Sequence, residues 1–248
     1  FDAAIPGATL VRLETAFDRI IAFYEQGLAA DPMRGVGVVA AIVHNRGNYT
    51  GFGGDALNII RMSYDNPTPA SLATLDQVFP ATFAHELAHK LQSEQLFQQP
   101  LARHIVEGSA DFLKIVVLHN AGVIDEAQAK DKVPKAAADC ASFADARTLR
   151  SKASAGNFRF REPYDCGMVY YFVAYFASGM QGQQFVDVLR KGLAGDGADE
   201  SLCLMFEPAC RNERLIGVTG NRDAYLQQAA WLDSQLASRP LPVLRKRN

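Results

Sequence analysis

All the strand-like patterning of this chain falls between residues 36 and 64, and nearly everything after Pro69 repeats at steps of three and four. Val36 to His44 is a β-branched apolar run, Asn45-Arg46-Gly47-Asn48 reads as a turn, and Tyr49 to Phe52 is expected to pair back as a second strand. Gly53-Gly54 leads into a third strand over 57–64, stopped by Asp65-Asn66-Pro67. Ahead of this window, Leu10, Leu13, Phe17, Ile20, Ile21, Tyr24 and Leu28 mark an amphipathic helix over 9–29 that ends at Asp31-Pro32. Behind it, helices are expected over 81–97, with Pro80 at the tolerant first turn, and over 101–120, closed by Asn120-Ala121-Gly122. Further helices are expected near 125–137, 164–178, 182–193 and 223–237. Strands first and helices afterwards predict an α+β fold: a small N-terminal β-sheet lobe (1–80) followed by a mostly helical C-terminal lobe (81–248). The helix over 81–97 lies between the lobes.

Composition removes several classes of function. A chain of 248 residues can bury a core without help from disulfides. Its longest apolar runs, Val36 to Val43 and Met168 to Ala177, fall short of the roughly 18 to 20 residues that cross a bilayer. With 25 basic and 27 acidic residues there is no field to hold a polyanion, so nucleic acid is not an expected partner. Arg245-Lys246-Arg247 reads as a solvated tail. The four cysteines form no Cys-x-x-Cys pair and are not expected to bind metal. They fit either one or two disulfides, Cys140 to Cys166 and Cys203 to Cys210, or four buried thiols. A first residue that is Phe1 rather than Met fits a processed, extracytoplasmic (secreted or periplasmic) protein.

The chemistry is concentrated in His85-Glu86-Leu87-Ala88-His89. Histidines four apart on a helix share a face and present imidazoles one turn apart, which suits two corners of a tetrahedral zinc site. Glu86 sits beside the first of them, within reach of a metal-bound water without itself binding. From this composition, chance yields the pattern in about one sequence in 250. A third ligand must come from downstream. The long metzincin pattern would require a glycine and a histidine where Gln92 and Gln95 stand, which excludes that class. Glu94 is turned away from the ligand face. Glu107 lies on the next helix, beyond the Pro100 turn, and an antiparallel return would bring it to the metal. Asp111, four residues on, is suited to accept the free ring N–H of one histidine. His44, His104 and His119 have no ligand-like spacing and read as structural.

These residues resemble the gluzincins, zinc peptidases with a His-Glu-x-x-His helix and a glutamate ligand on a following helix. Glu107 and Asp111 match the thermolysin-like Glu-x-x-x-Asp element, and Glu107-Gly108 is similar to the Glu-Gly of M1 aminopeptidases. Seventeen residues separate His89 from Glu107, slightly fewer than in either group. Tyr164-Asp165-Cys166-Gly167, 57 residues beyond Glu107, resembles the M1 Tyr-x-Lys-Gly element with cysteine in place of lysine. The match implies that Tyr164 stabilises the oxyanion; a packed aromatic is the other reading. The M1 motif Gly-x-Met-Glu-Asn has no full counterpart, since Gly54-Asp55-Ala56-Leu57-Asn58 lacks the amine-binding glutamate and offers only Asp55.

The resemblance implies one zincin-like catalytic domain over 1–248 and one Zn2+ per chain, held by His85, His89 and Glu107. Glu86 would be the general base and Asp111 the partner of a ligand histidine. Residues 57–64 are expected to line the cleft as the strand to which an extended peptide adds. The expected activity is hydrolysis of peptide bonds in a peptide or protein substrate. The alternatives are a zinc hydrolase of another amide or ester, and a noncatalytic zinc-containing binding module.

Overall fold

The computed structural model describes residues 2–3, 5–28, 36–44, 51–56, 59–92, 103–143, 161–194 and 222–245. Helix α1 spans Gly7–Gly27, entered through Pro6, and buries Leu13, Phe17, Ile20 and Tyr24 along one stripe. Three strands follow, β1 (Gly37–Val43), β2 (Gly51–Ala56) and β3 (Ile59–Asp65), and with them the α+β arrangement expected from the sequence. Their order is β1-β3-β2, with β3 parallel to β1 and antiparallel to β2. The second strand therefore does not pair back on the first. Met62 on β3 stands opposite both Ala40 of β1 and Gly54 of β2. With Ile60, Met62 and Tyr64 all buried, β3 is the strand that belongs in the middle, and β2 is left at an edge. The expected turn at 45–48 lies outside the described residues.

A single turn, α2 (Pro69–Leu72), is capped reciprocally by Thr68 and Ser71. Helix α3 runs Leu75–His89 rather than from 81, with Pro80 in its interior. Leu75 and Phe79, both fully buried, extend its anchored face upstream of the proline. Every residue from Thr82 to Ala88 is buried, because α1, β2, β3 and the next helix surround this segment. Phe17 of α1 packs on Phe83 with ring centroids 4.3 Å apart, and the buried Tyr24 hydroxyl donates to the Ala84 carbonyl at 2.6 Å.

The remaining described elements are helices: α4 (Arg103–Asn120), α5 (Glu126–Phe143), α6 (Glu162–Ser178), α7 (Gly182–Ala194) and α8 (Arg222–Ser238). Helix α5 runs past the expected residue 137 and through Pro134, because Ala136, Ala137, Cys140 and Ala141 continue its buried face. Helix α6 stops where Gly179 adopts φ 67°, a left-handed conformation that suits glycine. No described helix is long and apolar enough to cross a membrane.

Two devices fix α6. Cys140 of α5 and Cys166 of α6 form a disulfide, while Cys203 and Cys210 lie outside the described residues. Against α4, backbone meets backbone: a Cβ on Gly108 would stand 2.3 Å from the Gly167 Cα, and one on Gly167 would stand 2.3 Å from the His104 carbonyl oxygen. Neither obstacle is a flexible side chain, so a methyl group at either position forces the helices apart. Gly108→Ala should therefore cost about 3 kcal/mol in urea unfolding. Gly7→Ala, where nothing lies within 4 Å, should stay within about 0.5 kcal/mol. Equal effects of the two substitutions would show that the helix contact is not tight.

Candidate metal centre

Helices α3 and α4 pack together and bring His85, His89 and Glu107 to one point, at the place where α6 delivers Tyr164. The His85 and His89 Nε2 atoms are 3.1 Å apart, and Glu107 Oε2 lies 3.3 Å from the first and 3.7 Å from the second. A tetrahedral ion with bonds of about 2.0 to 2.1 Å sets its ligand atoms about 3.3 Å apart. This triangle has that size, so the three residues could hold a metal ion. Asp111 lies beside His85, outside the triangle.

The outer nitrogens explain why the inner ones face each other. His85 Nδ1 lies 2.6 Å from Asp111 Oδ1, an acceptor, so the ring donates there. Asp111 is 2% exposed and also takes the Lys114 ammonium at 2.5 Å, with Arg161 at 3.8 Å. Burial works against its charge, but Lys114 and His85 outweigh it and hold the carboxyl well below its usual range. His89 Nδ1 lies 2.8 Å from the Gln92 side-chain oxygen. Each ring thus turns an Nε2 lone pair into the triangle, and two lone pairs 3.1 Å apart require positive charge between them. A proton can supply it. Burial disfavours it on His85, yet the hydrogen bonds to Asp111 and Glu107 prevail and push its pKa up to about 9. His89 moves down through burial and its charged neighbour.

Glu86, 7% exposed, lies against the edge strand β2: a Cβ on Gly54 would stand 2.7 Å from its Oε1. A side chain on the strand here would require Glu86 to shift. The strand beside the site is therefore β2. The expected cleft-lining strand over 57–64 is instead the sheet's centre, where both backbone edges of β3 are already paired. The Tyr164 ring stacks on His85 at 5.8 Å, with the Arg161 guanidinium 5.0 Å from its own centroid. Burial, followed by the Glu107 charge, pushes the Tyr164 pKa up to about 12, so the phenol keeps its proton at neutral pH.

His104 packs edge-on against Tyr170 in the α4–α6 interface and His44 is exposed, neither being part of the cluster. The side chain of Asp55, and all of Glu94, lie outside what the structure describes. Sequence reasoning missed Gln92, Lys114, Arg161 and the close approach of Gly54. The i,i+3 spacing of Lys114 from Asp111 and of Gln92 from His89 was the available signal for two of them. No local pattern signals a strand edge meeting a glutamate.

No family model matches the chain, and no curated protein matches it. Among solved structures, the chain is similar to an aminopeptidase N family protein from Idiomarina loihiensis, with a TM-score of 0.54 and 12% sequence identity over 90% of this chain. The likeness is one of fold. This chain spans 42% of the length of that structure.

Since His85 holds a proton up to about pH 9, a metal must displace it at neutral pH. Apparent affinity should rise about tenfold per pH unit from 7 to about 9 and level off above that, in competition with a chelator of known protonation. Affinity that is flat with pH, or unchanged in a His85→Ala, His89→Ala double mutant, would remove these residues from the ligand set.

Proposed function

We propose that this protein is a zinc-dependent peptidase of gluzincin type, with His85, His89 and Glu107 as metal ligands. The observation that carries the reading is the triangle of donors with Glu86 one residue from His85 and set against an edge strand. Two imidazoles and one carboxylate are a donor set that suits Zn2+ and leaves a fourth position for chemistry. Bound there, zinc supplies a Lewis acid toward a carbonyl and lowers the pKa of a water.

The chain's own groups do the rest. Glu86 accepts a proton from the attacking water and passes it to the departing amine. Tyr164 keeps its O–H at neutral pH and donates it as negative charge develops on the carbonyl oxygen. Asp111 and Gln92 keep both ligand rings in the required tautomer. The edge of β2 offers main-chain groups to an extended chain, which favours a peptide over a compact ester. The fold shared with an aminopeptidase N family protein supports the same reading, as does the match of Tyr164 to Gly167 with an M1 element. The Cys140–Cys166 disulfide supports an oxidising, extracytoplasmic setting.

The test is digestion of a mixed peptide library by metal-loaded protein, with and without chelator. Chelator-sensitive cleavage is expected, and its absence would sink the reading. Glu86→Gln should abolish cleavage while zinc stays bound, because the amide keeps the volume and loses the base. Tyr164→Phe should lower kcat by roughly 10²- to 10³-fold with little change in KM. Near wild-type kcat in Tyr164→Phe would leave the phenol a packing group.

A further inference from the structure

We infer that Gln92 is the positioning residue for His89, its side-chain oxygen accepting the ring Nδ1–H and leaving Nε2 free for a metal. The inference rests on the metal-ligand reading above and extends it to a residue outside the His-Glu-x-x-His pattern.

The argument begins with the backbone. Beyond His89 the helix tightens: the Lys90, Leu91 and Gln92 N–H groups each donate to a carbonyl three residues back, ending on His89. Bonds of that type stack residue i+3 over residue i, so Gln92 is carried under the His89 ring instead of rotating past it. Its side chain then makes three contacts. Nε2 donates to the Val106 carbonyl at 2.8 Å and to Ser109 Oγ at 2.9 Å, and Oε1 lies 2.8 Å from His89 Nδ1. A carbonyl can only accept, so the amide nitrogen must face Val106. The amide oxygen must then face His89, and Nδ1 must be the donor. The tautomer with Nε2 free for a metal follows from that chain of necessity.

The other half of the amide reaches α4. Val106 and Ser109 flank Glu107, and the Ser109 hydroxyl, fully buried, itself donates to the Val106 carbonyl at 3.1 Å. Gln92 is 9% exposed, so little water competes for any of these bonds. One planar group thus holds the second ligand by its oxygen and the helix turn bearing the third by its nitrogen. His85 has a different holder, Asp111, which is charged and sits on the same helix as Glu107.

The experiment compares wild type, Gln92→Met and Gln92→Glu, reading zinc affinity by chelator competition and the visible spectrum of the Co2+-substituted protein. Melting temperature of the metal-free forms reports folding. Gln92→Met keeps the volume and removes both functions, and should weaken zinc binding by about 10- to 100-fold and alter the Co2+ spectrum. Gln92→Glu keeps the acceptor toward His89 and should recover at least tenfold of that loss. Zinc affinity of Gln92→Met within about threefold of wild type would overturn the proposal. So would a Gln92→Glu protein as weak as Gln92→Met, since α4 contacts alone would then matter. If Gln92→Met does not fold, Gln92→Glu decides: an unchanged Co2+ spectrum supports the role and a changed one overturns it. A wild type that binds no zinc defeats the proposed function itself, a result separate from any difference among the variants.

Discussion

The close approach of Gly108 to Gly167 is the contact on which the rest of the centre depends. Glu107 is one residue before the first glycine, and Tyr164 is three before the second. Two helix backbones in contact leave no side chain between them to act as a spacer, so the positions of the acidic donor and the phenol are coupled through a rigid joint. Side-chain packing alone tolerates shifts of several tenths of an ångström. A triangle of candidate ligand atoms with edges of 3.1 to 3.7 Å tolerates much less. The disulfide one residue before Gly167 holds α6 from its other side. Glycine and cystine thus do in the scaffold what hydrogen bonds do at the imidazoles.

Around those imidazoles, charge is arranged in alternating shells. Glu107 faces the two rings, Asp111 lies behind one of them, and Lys114 and Arg161 stand behind Asp111. Burial raises the cost of every unpaired charge, so each layer is stabilised by the next one out. The outermost cations are the more exposed, with the Arg161 side chain at 50%, where water takes over the compensation. The result is a site whose field favours a cation at its centre, although the whole chain carries a formal net charge of only -2.

The proposed donor set was visible in the sequence because two of its members obey helical arithmetic. His85 and His89 are one turn apart, and Glu107 and Asp111 are too, so a motif on each helix was visible before any packing was known. The helix ends were harder. Residues Thr82 to Ala88 are buried all round, and a helix without a polar face has no stripe to reveal where it begins. The strand order was harder again. Tyr49 to Phe52 looks like a hairpin partner of the strand before it, yet hairpin logic counts only local pairing. The intervening place was taken by β3, whose alternating Ile60, Met62 and Tyr64 bury one face against the helices. Gln92 escaped notice because its value depends on Val106 and Ser109, which approach it only after α3 and α4 have docked.

The Cys140–Cys166 link has a topological consequence. The sequence between those cysteines is a closed covalent ring, with a sequence separation of 26. A single protease cut anywhere inside the ring opens it without dividing the protein in two. The part bearing His85, His89 and Glu107 and the part bearing Tyr164 remain one molecule, joined through sulfur. The covalent continuity of the centre is therefore independent of the peptide bonds that connect α5 to α6. On a gel, such a nicked chain keeps its full mass until it meets a reductant.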